Sequence, residues 1–334
     1  MIITDIPRIP ELPENYIEAA KSSDFVIFVG SGLSMCSGNE CPSWMQLAYK
    51  ILDHIYNKGG INFKEKEDLL TEKNPRRLLS ICWHIMKNNP NLSLDKNNWQ
   101  KIFPINRNRN VYDSLIGFRT PFIMVNYDLN LEYALERAMR SNPRDYNCAS
   151  KEYDITKPPI DELEYVKSNK MSYCRLTEIV YTNLWPDKIL HLHGSIEYPS
   201  SIVITMQDYI NAYASSRSTS EFRLDFLKTV FEKKCVLFIG TSAAEYEILE
   251  FVKIIPNLDH HILMGFYESD IDLANHYARY FEDLGIILIP FSKDIKGQDQ
   301  VVDILNDWKS VIASVSRPPS KLRDIEEILD GIKL

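Results

Sequence analysis

Nowhere does the sequence contain a run of apolar residues approaching the roughly 18 needed to cross a bilayer. Its opening stretch, MIITDIPRIPELPENY, is too polar for a signal peptide. It lacks any C-x-x-C pair. Cys36, Cys41, Cys82, Cys148, Cys174 and Cys235 stand apart, which argues against a zinc ribbon or finger and, in a reducing compartment, for buried thiols over disulfides. It also lacks a basic excess: a formal net charge of -8 at pH 7 opposes a chain built to coat nucleic acid. No internal repeat or low-complexity tract is visible. These absences make a cytoplasmic location the expectation for a chain of 334 residues, long enough to bury a substantial core, with no compositional sign of disorder.

Short apolar runs at Phe25 to Val29, Pro121 to Val125, Ile189 to Leu192, Cys235 to Ile239, His261 to Phe266 and Gly285 to Pro290 predict strands buried on both faces. Helical patterns separate them, so the expected fold is α/β, a Rossmann-like parallel sheet with helices on both faces. Trp44, Leu47, Ala48, Ile51 and Leu52 recur at helical spacing, as do Leu78, Leu79, Ile81, Cys82, Ile85 and Met86 after Pro75. These fall in a segment too long for a simple crossover, which reads as an inserted helical module at about 44–118. A second insert, at about 141–187, has little periodicity and reads as irregular. Val301, Ile304, Leu305, Trp308 and Ile312 predict an amphipathic helix. RPPS then breaks the pattern, leaving one domain over 1–316 and a helical tail over 317–334 that could dock on a partner or on its own domain.

Four motifs carry candidate chemistry, each at the carboxyl end of a predicted strand. In VGSGLS, Gly30, Ser31, Gly32 and Ser34 could bring the backbone and its N–H groups close to a phosphate. In FIMVNYDLNLEYAL, Asn126 could position a sugar hydroxyl or a water, while Asp128 could equally cap the following helix. In KILHLHGS, His191 and His193 are two apart on a predicted strand, so they are expected to point to the same face, with His193 at its end just before Gly194. His191, deeper in the strand, reads as structural and His193 as a general base. In VLFIGTSAAEYEILEFV, Gly240, Thr241 and Ser242 repeat the cradle for phosphate or ribose oxygens. Glu245, Glu247 and Glu250 belong to a solvated face, unless one of them holds a ribose diol.

In this order, strand-G-x-G-x-S, strand-x-N-x-D, L-H-G and strand-G-T-S, the motifs over roughly residues 20–295 resemble the sirtuin family. The resemblance implies NAD as substrate. Gly30, Ser31, Gly32 and Ser34 would lie on the diphosphate side, Asn126 and Asp128 at the nicotinamide ribose and nicotinamide, His193 as general base, and Gly240, Thr241 and Ser242 at the adenosine half. The chain departs from the deacylases: it has no four-cysteine zinc module, it has Pro42, Ser43, Trp44 and Met45 in place of P-D-F-R, and Val125 stands where they carry Gln.

With the acyl-lysine half missing, water becomes the expected acceptor and the expected activity is that of an NAD glycohydrolase without zinc. The chain looks like the zinc-free sirtuin-like domains of prokaryotic antiphage defence, which act by NAD depletion. FIGTSAAEYEILEFV, LGIILIPF and GQDQVVDILNDW most resemble the subunit encoded beside a HerA-type hexameric ATPase. That likeness implies a homo-oligomer regulated by that ATPase or another defence partner, with no membrane contact and with nucleic acid engaged at most through the partner. A quiet NAD or ADP-ribose sensor, an ADP-ribosyltransferase and a scaffold subunit stand as rivals.

Overall fold

Every residue of Phe25–Val29 is apolar and buried, so this strand needs cover on both faces. The computed structural model supplies it. The structure describes residues 2–22, 24–36, 41–106, 108, 110–141, 170–172, 189–213, 218–241, 248 and 260–315. Phe25–Val29 is strand β1, followed by β2 (Phe122–Met124), β3 (Lys170–Ser172), β4 (Ile189–His191), β5 (Cys235–Ile239), β6 (His260–Phe266) and β7 (Ile286–Ser292). All pair in parallel, in the order β3-β4-β2-β1-β5-β6-β7.

The alternation of side chains along each strand sorts the core into two layers. Phe25, Ile27 and Val29 face helices α1 (Glu14–Ser22), α7 (Asn130–Ser141) and α11 (Gln300–Val315), with Trp308 of α11 fully buried. Val26 and Phe28 face α9 (Ser218–Lys233) and α10 (Ile271–Glu282). The expected parallel α/β sheet with helices on both faces is the observed fold. Four of the six cysteines are described, and all four are buried and free. Cys148 and Cys174, the tail over 317–334 and nearly all of the segment 141–187 lie outside the described residues. The exceptions there are Ser141, which ends α7, and β3, an edge strand that the lack of periodicity concealed.

Between β1 and β2 lie α2 (Ser31–Ser34), α3 (Trp44–Asn57), α4 (Phe63–Leu70), α5 (Pro75–Asn88) and α6 (Lys96–Ile102). Local chemistry starts the last four. Ser43, Asn62 and Asp95 form reciprocal capping boxes with Gln46, Glu65 and Asn98, and Asn74 accepts the Arg77 N–H just ahead of Pro75. Their apolar faces meet in a separate cluster that also takes in Tyr127 and Leu129 after β2, and Ile196, Ile202 and Ile204 after β4. The helical module therefore sits over the carboxyl ends of two central strands. Residues 111–118, within the module by the sequence pattern, pack into the sheet layer with α7 and α11 instead.

The loops leaving β1 and β5 touch backbone to backbone. Gly30 N–H donates to the Ile239 carbonyl at 2.8 Å and Gly32 N–H to the Gly240 carbonyl at 2.7 Å. A methyl group on Gly240, whose φ is +67°, would lie 2.4 Å from the Leu33 nitrogen. Gly240→Ala should therefore cost roughly 2–4 kcal/mol in urea unfolding. Gly59→Ala, at a φ of +72° but with open space around it, should cost about 1 kcal/mol. Equal costs would mean that backbone conformation alone, and not the contact between the loops, demands Gly240.

Candidate functional site

Strands β2 and β5 lie on either side of β1, so the switch in strand order falls at the carboxyl ends of these three, where open α/β sheets bind ligands. The glycines there are used differently from the expectation. The N–H groups of Gly30 and Gly32 are spent on β5 and its loop, so neither is free for a phosphate, and close packing of the two loops is what requires small residues. The Ser31 N–H makes no hydrogen bond among the described residues. Thr241 Oγ1 is likewise buried without a partner among them. Ser242, Glu245, Glu247 and Glu250 lie outside the described residues.

Beside this tie, Ser34, Asn126 and Asp128 are brought together in one buried network. Asn126 Nδ2 donates to the Gly30 carbonyl at 3.0 Å and to Ser34 Oγ at 2.7 Å, with Tyr112 Oη at 3.2 Å. Ser34 donates to Asp128 Oδ2 at 2.7 Å. Asp128 Oδ1 accepts the Asn130 backbone N–H at 3.0 Å and its side-chain amide at 2.9 Å, so Asp128 also supports the start of α7. Burial raises the pKa of Asp128, against the Ser34 and Asn130 hydrogen bonds that favour its charged form. Burial also pushes the Tyr112 phenol well above its ordinary value, and the Asp128 carboxylate adds to the effect.

One atom of the network is unsatisfied. Asn126 is 5% exposed and its Oδ1 has no hydrogen-bond partner among the described residues, a loss of about 1–3 kcal/mol for a buried acceptor. Asn126 forms part of the wall of a cleft with Ser31, Ser34 and Asp128 on one side and Trp44 and Phe103 of the helical module on the other. Its volume is about 30 Å³, room for a water-sized group.

The two histidines do not share a face. β4 ends at His191, whose Nδ1 meets the Asn126 carbonyl at 3.0 Å and whose Nε2 meets Glu132 Oε1 at 2.5 Å. Burial opposes its charging, but Glu132 outweighs that and its pKa is raised. The chain then turns at Gly194, φ +78°. His193 lies fully buried against helix α8 (Met206–Tyr213), with Nε2 at 2.6 Å from Tyr213 Oη and Nδ1 at 3.4 Å from Tyr209 Oη.

Each of these tyrosines is backed by a cation. The Arg76 guanidinium lies 4.1 Å from the Tyr209 ring centre and that of Arg223 lies 5.1 Å from the Tyr213 ring centre. Burial first, and then Arg223 and Arg76, hold the His193 pKa well below its ordinary value. The imidazole is neutral, as a base must be, but it does not line the cleft. Trp44 and Tyr209 stand in contact between the two. Sequence patterns gave no sign of Tyr112, Tyr209, Tyr213, Arg76 or Arg223. Glu132, four residues past Asp128 in the Asn126 motif, was within reach of such a reading.

The sign of the pH response follows. Below about pH 6.5 the unfolded chain binds a proton at residue 193 that the folded chain refuses, so this group removes stability as pH falls. His191 has the opposite sign: its contribution is complete below the unfolded value and is lost as pH rises through the raised folded one. Urea unfolding at about pH 7.5 and about pH 5 should show His193→Gln losing less stability over that interval than the natural chain. Equal losses would mean that residue 193 titrates alike folded and unfolded.

Among the described residues no group of three or more His, Cys, Asp or Glu side chains could hold a metal ion, and no helix is long and apolar enough to cross a membrane. No curated protein matches the chain. The SIR2-like domain family matches residues 121–289, which includes Asn126, Asp128, His193 and the loop after β5 but begins beyond the Gly30–Ser34 loop. That family implies NAD binding and is compatible with NAD-related activity. With just over half of its length matched, across β2 to β7 of the sheet and including Val125, Asn126, Tyr127 and Asp128 of the cleft wall, the chain belongs to the SIR2-like domain family.

Proposed function

We propose that the chain is an NAD glycohydrolase that binds NAD at the carboxyl edge of β1, β2 and β5. It would catalyse NAD plus water to nicotinamide, ADP-ribose and a proton. The observation that carries this reading is the buried Oδ1 of Asn126, a residue of the cleft wall, which has no partner among the described residues. An acceptor held there suits a ribose hydroxyl or the attacking water, and its other branch is already tied down by Gly30 and Ser34. Ser31, whose N–H has no partner among the described residues, and Thr241, whose hydroxyl has none among them, suit polar oxygens of the dinucleotide. Asp128 acts through Ser34 and Asn130, because its oxygens are already occupied.

In this reading the bound dinucleotide supplies the positively charged nicotinamide leaving group, and the protein supplies placement and a proton acceptor. The cleft beside Asn126, about 30 Å³, takes a water-sized group, and in this reading Trp44 and Phe103 draw back when the dinucleotide binds. His193 serves as the base once Tyr213 and Tyr209 release it. The described state is then a resting one. A resting state suits a subunit controlled from outside, and the resemblance of FIGTSAAEYEILEFV, LGIILIPF and GQDQVVDILNDW to the sirtuin-like subunits encoded beside a HerA-type ATPase supports such control. We extend the proposal accordingly: a homo-oligomer acting in antiphage defence by NAD depletion, released by that ATPase or by another partner of the same system.

Nicotinamide release should be followed with the chain alone and with the product of its neighbouring gene. Asn126→Ala is expected to lower the rate at least about 100-fold. Tyr213→Phe, which frees His193 Nε2, should raise the rate of the chain alone. NAD bound without release in both conditions would instead make the chain a sensor. ADP-ribose found attached to protein would make it a transferase.

A further inference from the structure

We propose that Tyr112, which lies outside every motif and outside the matched family segment, is a positioning residue that fixes how Asn126 presents its amide to the cleft. The inference rests on the NAD reading above for its catalytic consequence and on hydrogen accounting for its geometry.

The Gly30 carbonyl can only accept, so the Asn126 atom 3.0 Å from it must be the nitrogen. The second hydrogen of that nitrogen faces Ser34 Oγ at 2.7 Å and Tyr112 Oη at 3.2 Å. Ser34 commits its own proton to the Asp128 carboxylate, so toward Asn126 it can only accept. The Tyr112 hydroxyl, 2.7 Å from Ser34 Oγ, has one proton and gives it to Ser34, which leaves its lone pairs toward the amide. Every hydrogen is then placed, and Asn126 Oδ1 is the atom left for a ligand.

Without the phenol oxygen this order fails. Ser34 would lack one of its two donors, and the second amide hydrogen of Asn126 would lose one of its two acceptors. The Gly30 carbonyl still holds the nitrogen, so the amide could swing about that one bond and carry Oδ1 off the line a ligand needs. Tyr112 is suited to prevent this because it is fully buried and is held by a separate layer: the turn Val111–Ser114 packs with α7 and α11, not with the helical module. Its burial also keeps the phenol protonated, so it remains a donor across the whole working range of pH.

The test uses the full chain as Tyr112→Phe, Ser34→Ala and the double variant, each first shown to be folded by thermal unfolding. Under the conditions in which the natural chain releases nicotinamide, Tyr112→Phe should lower kcat about tenfold with KM within about twofold. The double variant should be no slower than Ser34→Ala alone. An unchanged kcat, or losses that multiply in the double variant, overturns the proposal.

A second arm does not depend on turnover. In chain labelled with ¹⁵N at asparagine side chains, the Asn126 amide hydrogens, assigned by their absence in Asn126→Asp, should exchange with solvent at least about tenfold faster in Tyr112→Phe than in the natural chain. Equal exchange rates overturn the positioning role. A natural chain that releases no nicotinamide but shows the difference in exchange would sink the NAD reading and leave the role of Tyr112 standing.

Discussion

Two peptide hydrogen bonds, from Gly30 to Ile239 and from Gly32 to Gly240, join the loop after β1 to the loop after β5. The rest of the site is arranged from that junction. It leaves the Gly30 carbonyl where Asn126 can donate to it, and it begins the short turn that carries Ser34 to Asp128 and Tyr112. It also consumes two donors that a phosphate loop would keep for its ligand, so the glycines here shape the site from behind. Side chains and the Ser31 amide are left to meet a ligand.

Electrostatics at the end of β4 show how surroundings decide what a residue type does. His191 and His193 are two positions apart, equally buried and oppositely tuned. A carboxylate at hydrogen-bond distance favours the charged form of His191, while two guanidiniums behind a pair of tyrosines disfavour that of His193. The turn at Gly194 separates the two environments by directing the second imidazole to α8.

Much of the architecture was legible because its causes are local or periodic. Continuous apolar runs marked six of the seven strands within a residue or two at each end, and Pro75, with the apolar spacing that follows it, marked the start of α5. β3 escaped because Lys170–Ser172 has no apolar pattern, and its place is set by pairing with β4 alone. The site was legible in part. Asn126 and Asp128 could be found because a strand delivers them to a known edge of the sheet. The packing of His193 could not, since it depends on tyrosines and arginines from α5, α8 and α9, contacts that leave no spacing in the chain. Tyr112 is hidden for the same reason.

The cluster that holds the helical module together is not the module's alone. Tyr127 and Leu129 enter it from beyond β2, and Ile196, Ile202 and Ile204 from beyond β4. These residues would face water if residues 44–102 were cut away, and a contiguous apolar surface of that kind drives aggregation. The module is therefore structurally inseparable from the sheet: a minimal version of this chain trimmed to its strands and crossover helices would lose solubility.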